Sequence, residues 1–386
     1  MARRNLQSMK LHGGVILLLA AGALSTACSG RYGVGFEPTE LGVGGEDTAG
    51  SAGSNNSAST SSAGSSSGGT SSGGSSVTVG AGSGGTEPLS RCGFAPEAAA
   101  TPIEALVPTD TVVQRIAQFL EATSTVDVGQ RPAQPTQAWA AELATQILDE
   151  HFEAGTEAPG LAAFLEAWLQ VREDLLPLAS AHDWAVKLTA PDATLATLLS
   201  EPTGEPHRLG ILTAQDVLEL RGSITSRGKW MNEKLFCATI PPPPAGVSAL
   251  PPLSSDQTRR QRLTEHTSSN TCQSCHVIID PPGYSLEHFD AMGVYGELDA
   301  GKPIDSSGST FNPNFAFADF DSFAPQLAES CAVAQCFTKA IAGQATSPLF
   351  TLTDTELNHV ANVFADSGFS IRELVKAIVS SPAFFR

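Results

Sequence analysis

A long stretch without packing side chains limits how much of this 386-residue chain can fold. Residues 41–86 consist mainly of glycine, serine, alanine and threonine, with almost no large apolar side chain. Such a segment buries too little surface to offset the entropy that ordering would cost, which predicts a disordered tether over residues 29–90. We therefore expect the packed part to begin near Arg91 and to form one or two ordered domains.

The first 28 residues have the pattern of an export signal. Three basic residues precede an apolar run at residues 15–23, which is too short to cross a bilayer as a permanent helix. The segment that ends at Cys28 resembles a bacterial lipoprotein cleavage site, although Ser25 stands where an apolar residue is usual. We expect a signal peptide over residues 1–28 and a lipid on Cys28, and Ser29 favours the outer membrane. Secretion without a lipid is the alternative.

Apolar side chains recur with the period of an α-helix between residues 112 and 169. One helical face carries Val112, Ile116, Phe119 and Leu120. A second helix is expected after the cap residue Thr136, and a third over residues 161–169. Stripes of this kind are far more often core than cofactor contacts, so they predict a small helical bundle over residues 91–206.

Helix signals alternate with helix breakers between residues 207 and 310. Thr213 is expected to cap one helix, and residues 259–265 are expected to form another. Four prolines at residues 241–244 predict a stiff polyproline II connector. The sequence Asp-Pro-Pro-Gly at residues 280–283 is expected to end any preceding helix within about one turn.

The clearest local helix signals lie in residues 311–386. Two capping boxes are expected, at Thr353 with Glu356 and at Ser370 with Glu373. Gly368 is expected to close the first of these helices in the left-handed conformation, and an earlier helix is expected over residues 323–341. This part of the chain predicts a C-terminal helical domain.

The pentapeptide Cys-Gln-Ser-Cys-His at residues 272–276 is the motif that carries chemistry. Two thiols three residues apart, followed by an imidazole, are typical of c-type haem attachment. Cys272 and Cys275 would add to the haem vinyl groups, and His276 would be an axial iron ligand. Zinc held by these three residues and His266 is one alternative. A disulfide between the two thiols is the other.

Three side chains are candidates for the sixth iron ligand. Met292 is the methionine that follows the motif, His266 precedes His276 by ten residues, and His288 follows it by twelve. A sixth position open to small ligands is a further alternative. The choice would set the reduction potential and decide whether the haem does chemistry beyond electron transfer.

Seven cysteines support an oxidising compartment. Without the lipid and haem candidates, four remain, namely Cys92, Cys237, Cys331 and Cys336. These four can form two disulfides outside the cytoplasm. Cys331 and Cys336 can pair with each other only if their segment is not a regular helix. Ordinary buried thiols are the alternative for all four.

The formal net charge of -18 argues against nucleic acid as a partner, because no basic cluster is present to neutralise phosphates. No Ser-His-Asp signature, phosphate-binding loop or dinucleotide fingerprint occurs. The carboxylates near the motif, Asp280, Glu287 and Asp290, are more simply explained by helix caps and turns than by catalysis. We expect an electron carrier or a binding protein rather than an enzyme.

The chain resembles a set of exported, cytochrome-like proteins of planctomycetes and myxobacteria, built from domains of unknown function 1592, 1588 and 1585. The resemblance to the middle domain rests on residues 227–230, 241–244, 260–263, 266, 272–276, 280–281, 283 and 287–293. The resemblance to the C-terminal domain rests on residues 317–336 and 372–384, and residues 112–176 are similar to a shortened first domain. The resemblance as a whole implies three ordered parts, at residues 91–206, 207–310 and 311–386.

These observations predict a mainly α protein in which a helical bundle, a cytochrome c-like CxxCH segment and a C-terminal helical domain follow a Gly/Ser tether. We expect an exported outer-membrane lipoprotein that carries one covalent c-type haem and exchanges electrons with a redox protein. The alternative is a non-redox surface binding or scaffold protein whose Cys/His site holds zinc or a disulfide.

Overall fold

The computed structural model describes residues 91–94, 107–123, 126–169, 178–243, 252, 254–346 and 350–386. All of them belong to one compact unit, Ala81–Arg386. The predicted signal peptide, Cys28 and the Gly/Ser tether lie outside the described residues. Of the proline run, residues 241–243 are described and form no regular element, and residue 244 lies outside.

The mainly α class is confirmed, since thirteen α-helices make up most of the regular structure in the described residues. Helices α1–α7 are Thr109–Leu120, Gln137–Ala154, Pro159–Leu169, Ala179–Leu188, Leu195–Leu199, Gln215–Glu219 and Ile224–Lys234. Helices α8–α13 are Arg259–His266, Asn270–Tyr284, Phe320–Ala328, Cys331–Ala345, Asp354–Asp366 and Ile371–Val379. Strands β1–β4 are Leu298–Asp299, Lys302–Pro303, Gly308–Ser309 and Ala316–Phe317, and they pair antiparallel as β1 with β2 and β3 with β4. No helix in this part of the chain is long and apolar enough to cross a membrane.

One hydrophobic core joins the first helices to the last ones. Helix α2 packs against α13, α1 packs against α3 and α11, and α12 contacts both α11 and α13. Phe337 lies edge-on to Phe164 and to Trp168, with ring centroids 5.4 Å apart in both pairs. Trp168 in turn lies edge-on to Trp230 of α7, at 5.5 Å. The aromatic cluster therefore anchors α7 in the core, while the boundaries of the three predicted domains stay predictions.

Several local helix signals are confirmed. The hydroxyl of Thr136 accepts a hydrogen bond from the Trp139 amide at 3.2 Å and starts α2. Thr353 and Glu356 form the reciprocal capping box at the start of α12. Gly368, just after α12, has a φ of +73°, which is the left-handed conformation that glycine adopts without strain.

Two helix predictions are wrong in their boundaries. Thr213 ends a short 3-10 helix, Ile211–Thr213, and its hydroxyl donates to the Leu209 carbonyl at 2.9 Å instead of capping an α-helix. The helix predicted over residues 323–341 is two helices, because Ser330 interrupts it and its Oγ accepts an amide hydrogen bond that starts α11. Hydroxyl side chains that bond the local backbone compete in this way with a continuous helix.

Two disulfides link distant parts of the chain. Cys92 pairs with Cys331 across 239 residues, and Cys237 pairs with Cys336 across 99 residues. Helix α11 is continuous from Cys331 through Cys336, so the condition for a local pair between these two cysteines is not met. The expectation of two disulfides is borne out in this structure, and the alternative of four buried thiols is not.

Candidate functional site

The CxxCH motif occupies the first turns of α9. Ser269 precedes the helix, and its Oγ accepts a hydrogen bond from the Cys272 amide at 3.5 Å. Residues three and four apart lie on the same face of a helix, so Cys272, Cys275 and His276 point to one side of α9. Cys275 is exposed, and Cys272 and His276 are half-buried. The helix therefore presents two thiols and an imidazole together at an accessible surface.

Helix α9 continues through two prolines, so the prediction that residues 280–283 end it is wrong. Pro281 and Pro282 lie inside the helix. Pro282 has no amide hydrogen to give to the carbonyl four residues earlier, that of Ile278. Asn232 of α7 supplies a donor, since its side-chain Nδ2 lies 3.1 Å from the Ile278 oxygen. A side chain distant in sequence thus satisfies a carbonyl that the proline leaves without a partner.

Helices α7 and α9 cross with their backbones in contact. A Cβ atom built on Gly228 of α7 would lie 2.0 Å from the carbonyl oxygen of Ile279. A Cβ atom on Gly283 of α9 would lie 2.1 Å from the carbonyl oxygen of Ile224. No larger residue fits at either position unless the helices move apart. This close crossing fixes where α9, and with it the motif, lies along α7.

Arg227 fastens the chain that follows α9. Its buried guanidinium donates to the carbonyl oxygens of Leu286, Phe289 and Asp290 at 2.5–2.9 Å. Burial lowers the pKa of Arg227 to about 10, so the side chain stays charged at neutral pH. A charge-assisted hydrogen bond to a buried carbonyl is stronger than a neutral one. The Arg-Gly pair at residues 227–228 is therefore a structural support for α9.

His276 is held by a buried carboxylate. Its Nδ1 lies 2.9 and 3.1 Å from the two carboxylate oxygens of Asp280, one helical turn later. The hydroxyl of Thr225 in α7 donates to Asp280 at 2.8 Å. Burial raises the pKa of Asp280, and the hydrogen bonds from Thr225 and His276 oppose that rise. Because Nδ1 faces Asp280, Nε2 on the other side of the ring is the nitrogen left to bind a ligand.

The structure separates the three candidates for a sixth ligand. The ring of His266, at the end of α8, lies 6.2 Å from the ring of His276, centroid to centroid. Met292 is 59% exposed in the loop after α9. His288 is engaged elsewhere, since its Nδ1 bonds the Gly296 carbonyl at 2.8 Å and its ring stacks on Tyr295. Of these residues, the structure brings only His266 beside His276.

Cys272 and Cys275 are free thiols, while the other four described cysteines are paired. In the described residues no group of three or more His, Cys, Asp or Glu side chains is arranged to hold a metal ion. Apolar surface lies beside the motif, since Val277 is 59% exposed and Ile278 is 36% exposed. The two thiols and the imidazole thus lie on one helical face beside exposed apolar side chains.

Helices α6 to α9, which hold the motif and its supports, come from one continuous part of the chain. Residues 208–299 match the PSCyt3 family. The family is described as a protein of unknown function (DUF1588), and the match covers about a quarter of the chain. No curated protein and no solved structure matches. The match supports the middle part of the resemblance, whereas domains 1592 and 1585 and the groups of source organisms stay predictions.

The PSCyt3 region contains site residues that sequence reasoning misses. Thr225 and Asn232 belong to no recognisable motif. Their hydrogen bonds to Asp280 and to the Ile278 carbonyl form only because α7 packs on α9. The sequence alone favours a cap or turn for Asp280, although its position four residues after His276 is the spacing at which helical side chains meet. Asp280 precedes both prolines, so a helix that reaches residue 280 is enough for this spacing to identify the pair.

A separate cleft of about 720 Å³ lies between the start of α8 and the β1–β2 hairpin, partly outside the matched residues. Its lining includes Arg260, Lys302 and Glu287, but none of the motif residues. Glu287 is 1% exposed, and within the described part of the chain one of its carboxylate oxygens has no hydrogen-bond partner. Burial raises the pKa of Glu287 to about 7, and Arg259 and Arg260 oppose the rise.

Proposed function

We propose that this protein carries one covalent c-type haem on α9 and transfers electrons outside the cytoplasm. One observation carries the proposal: the cysteines of the CxxCH motif remain free on one helical face while the other four described cysteines form disulfides. An oxidising compartment favours pairing of cysteines, so free thiols three residues apart are suited to another covalent use. The family name PSCyt3 points in the same direction.

Each residue of the site has a distinct part in this proposal. Cys272 and Cys275 would hold the group through their thiols, and His276 would supply Nε2 as an iron ligand. Val277 and Ile278 offer apolar surface beside the motif. Helix α7 holds α9 in place through the glycine crossing. When bound, the haem supplies one-electron exchange, and its surroundings set the potential.

We propose His266 as the residue that would supply the second protein ligand to the iron. Of the three candidates, His266 is the one whose ring lies beside the His276 ring, at a centroid distance of 6.2 Å. Met292 is exposed in a loop, and His288 is engaged with Gly296 and Tyr295. Replacement of His266 would therefore change the visible spectrum, whereas replacement of Met292 would not.

Export, a lipid on Cys28, the outer membrane and a redox protein as partner belong to the same proposal. Their support comes from the N-terminal sequence pattern and from the two disulfides, which are typical of extracytoplasmic proteins.

A pyridine haemochrome spectrum of denatured protein tests the proposal. The protein is expressed in a periplasm with cytochrome c maturation, together with the double variant Cys272→Ser/Cys275→Ser and the control Gln273→Ala. Gln273 is an exposed residue inside the motif, so its removal leaves both thiols in place. We expect a c-type α-band that survives denaturation in the wild type and in Gln273→Ala, and its loss in the double variant.

A colourless wild-type protein contradicts the proposal. Zinc analysis and a thiol count then distinguish a zinc site from a disulfide. A band that persists in the double serine variant overturns the assignment of these two cysteines.

A further inference from the structure

We propose that Asp280, held by Thr225, is the positioning residue that fixes His276 as a strongly donating ligand and lowers the reduction potential of this site. The inference rests on the proposed function, because it concerns how the chain prepares the nitrogen that would bind iron. It adds a chain of three residues, Thr225, Asp280 and His276, that links α7 to the motif.

Hydrogen bonding decides which nitrogen of His276 carries the proton. Both oxygens of Asp280 lie within 3.1 Å of Nδ1, and an ionised carboxylate can only accept hydrogen bonds. Nδ1 is therefore the protonated nitrogen, and Nε2 keeps its lone pair. In a free imidazole the proton is not confined to one nitrogen, so the pairing with Asp280 selects the tautomer that a metal needs.

Burial makes this arrangement rigid. The side chain of Asp280 is 3% exposed, and that of His276 is 22% exposed. Thr225 donates to Asp280 from the neighbouring helix, and the contact between Gly228 and Ile279 prevents α9 from sliding along α7. The imidazole cannot turn away without leaving a buried carboxylate oxygen without its partner, which costs free energy.

The charge of the carboxylate has an electronic consequence. A histidine ligand that donates its other N–H to a carboxylate is a more basic ligand, and such outer partners tune the bound metal. A negative charge behind His276 also favours the more positive, oxidised state of the site. Because Asp280 is buried, solvent screens this effect less than it screens an exposed carboxylate. We therefore expect the site to have a lower reduction potential than the same site without this charge.

The first test uses the apoprotein, made without the maturation machinery and labelled with ¹⁵N at histidine. The His276 signals are assigned by their absence in His276→Gln. We expect the wild type to show His276 protonated at Nδ1 only. In Asp280→Ala the proton should be shared between the two nitrogens or move to Nε2. An unchanged tautomer in a folded Asp280→Ala protein overturns the inference, and this readout needs no haem.

The second test measures the midpoint potential of the haem-loaded protein. Asp280→Asn keeps the size of the side chain and removes its charge, and Thr225→Val removes the hydroxyl that holds it. Glu265→Gln is the control, because Glu265 is an exposed carboxylate on a different helix, α8. We expect Asp280→Asn to raise the midpoint potential by at least about 59 mV. For a one-electron couple, this shift corresponds to a tenfold change in the oxidised-to-reduced ratio at a fixed potential.

Thr225→Val should shift the potential in the same direction by less, and Glu265→Gln should leave it nearly unchanged. Equal potentials in Asp280→Asn and the wild type contradict the inference, as does an equal shift in Glu265→Gln. If Asp280→Ala does not fold, the tautomer is read in Asp280→Asn and Thr225→Val. Absence of covalent haem from the wild type defeats the proposed function, while the apoprotein still decides whether Asp280 positions His276.

Discussion

Glu287 is a buried carboxylate whose hydrogen bonds are incomplete within the described residues. It is 1% exposed, and one of its oxygens has no hydrogen bond from the described residues. Arg259 and Arg260 lower its pKa, but burial outweighs them and raises the pKa to about 7. The folded protein therefore keeps the proton of Glu287 at pH values at which the unfolded chain has released it.

This difference makes stability depend on pH. The folded-state pKa of Glu287 lies above its ordinary value of 4.5. The stability that Glu287 contributes is therefore fully present below pH 4.5 and is lost as the pH rises to about 7. We expect the free energy of unfolding to fall by about 3 kcal/mol over this interval through Glu287 alone. Glu287→Gln removes the titrating group and should flatten this part of the curve. Urea unfolding at several pH values measures the free energy of unfolding of the wild type and of Glu287→Gln. If the two plots of this free energy against pH are parallel, Glu287 does not contribute to the pH dependence.

At the scale of elements, the crossing of α7 and α9 is the contact that places the motif. Gly228 and Gly283 permit it because a hydrogen atom is the only side chain that fits between the two backbones. Arg227 donates hydrogen bonds to carbonyl groups that follow α9, and Asn232 donates one to the Ile278 carbonyl within α9. Most of the packing that supports the CxxCH helix thus comes from one neighbouring helix.

Gly228→Ala tests this contact. The new methyl group would meet the Ile279 carbonyl oxygen, so we expect α7 and α9 to separate and the protein to lose about 1–3 kcal/mol of stability. Gly343→Ala in α11 is the matched control, because nothing lies within 4 Å of the new methyl group. In a helix interior that substitution should stabilise by about 0.5–1 kcal/mol. Equal unfolding midpoints for the two variants would show that the backbones do not touch as described.

At the scale of the whole molecule, two disulfides tie the chain to α11. Cys237 follows α7, and Cys92 precedes α1, yet both reach the same helix through Cys336 and Cys331. The matched family region therefore does not stand apart from the C-terminal helices. A covalent link and a shared aromatic cluster both connect α7 to α11.

The double variant Cys237→Ser/Cys336→Ser measures what one link contributes. Closing a loop of this length reduces the entropy of the unfolded chain, so we expect the variant to lose about 2–4 kcal/mol of unfolding free energy in denaturant titrations. Peptide mapping without reduction should recover Cys92 joined to Cys331 and Cys237 joined to Cys336. A peptide joining Cys331 to Cys336 would contradict the fold, because both lie in one continuous helix.

Local sequence determined much of this protein. Caps such as Thr136 and the box of Thr353 with Glu356 act within four residues, so their helices could be predicted without tertiary information. The apolar stripes correctly identified the core side chains of the first helices, because helical period and burial are linked. The motif at residues 272–276 is also a local signal, since its three reactive side chains lie within five consecutive residues and mark the candidate site by spacing alone.

Tertiary structure alone decided the features that depend on partners distant in sequence. Helix α9 passes through Pro281 and Pro282 because Asn232, far away in sequence, satisfies the carbonyl that a local rule leaves unpaired. The pairing of the four structural cysteines depends on where α11 lies, since spacing alone left it open. Thr225 reaches Asp280 only because α7 packs against α9. Local hydrogen bonds are encoded by neighbouring residues, whereas these contacts exist only once the core has formed.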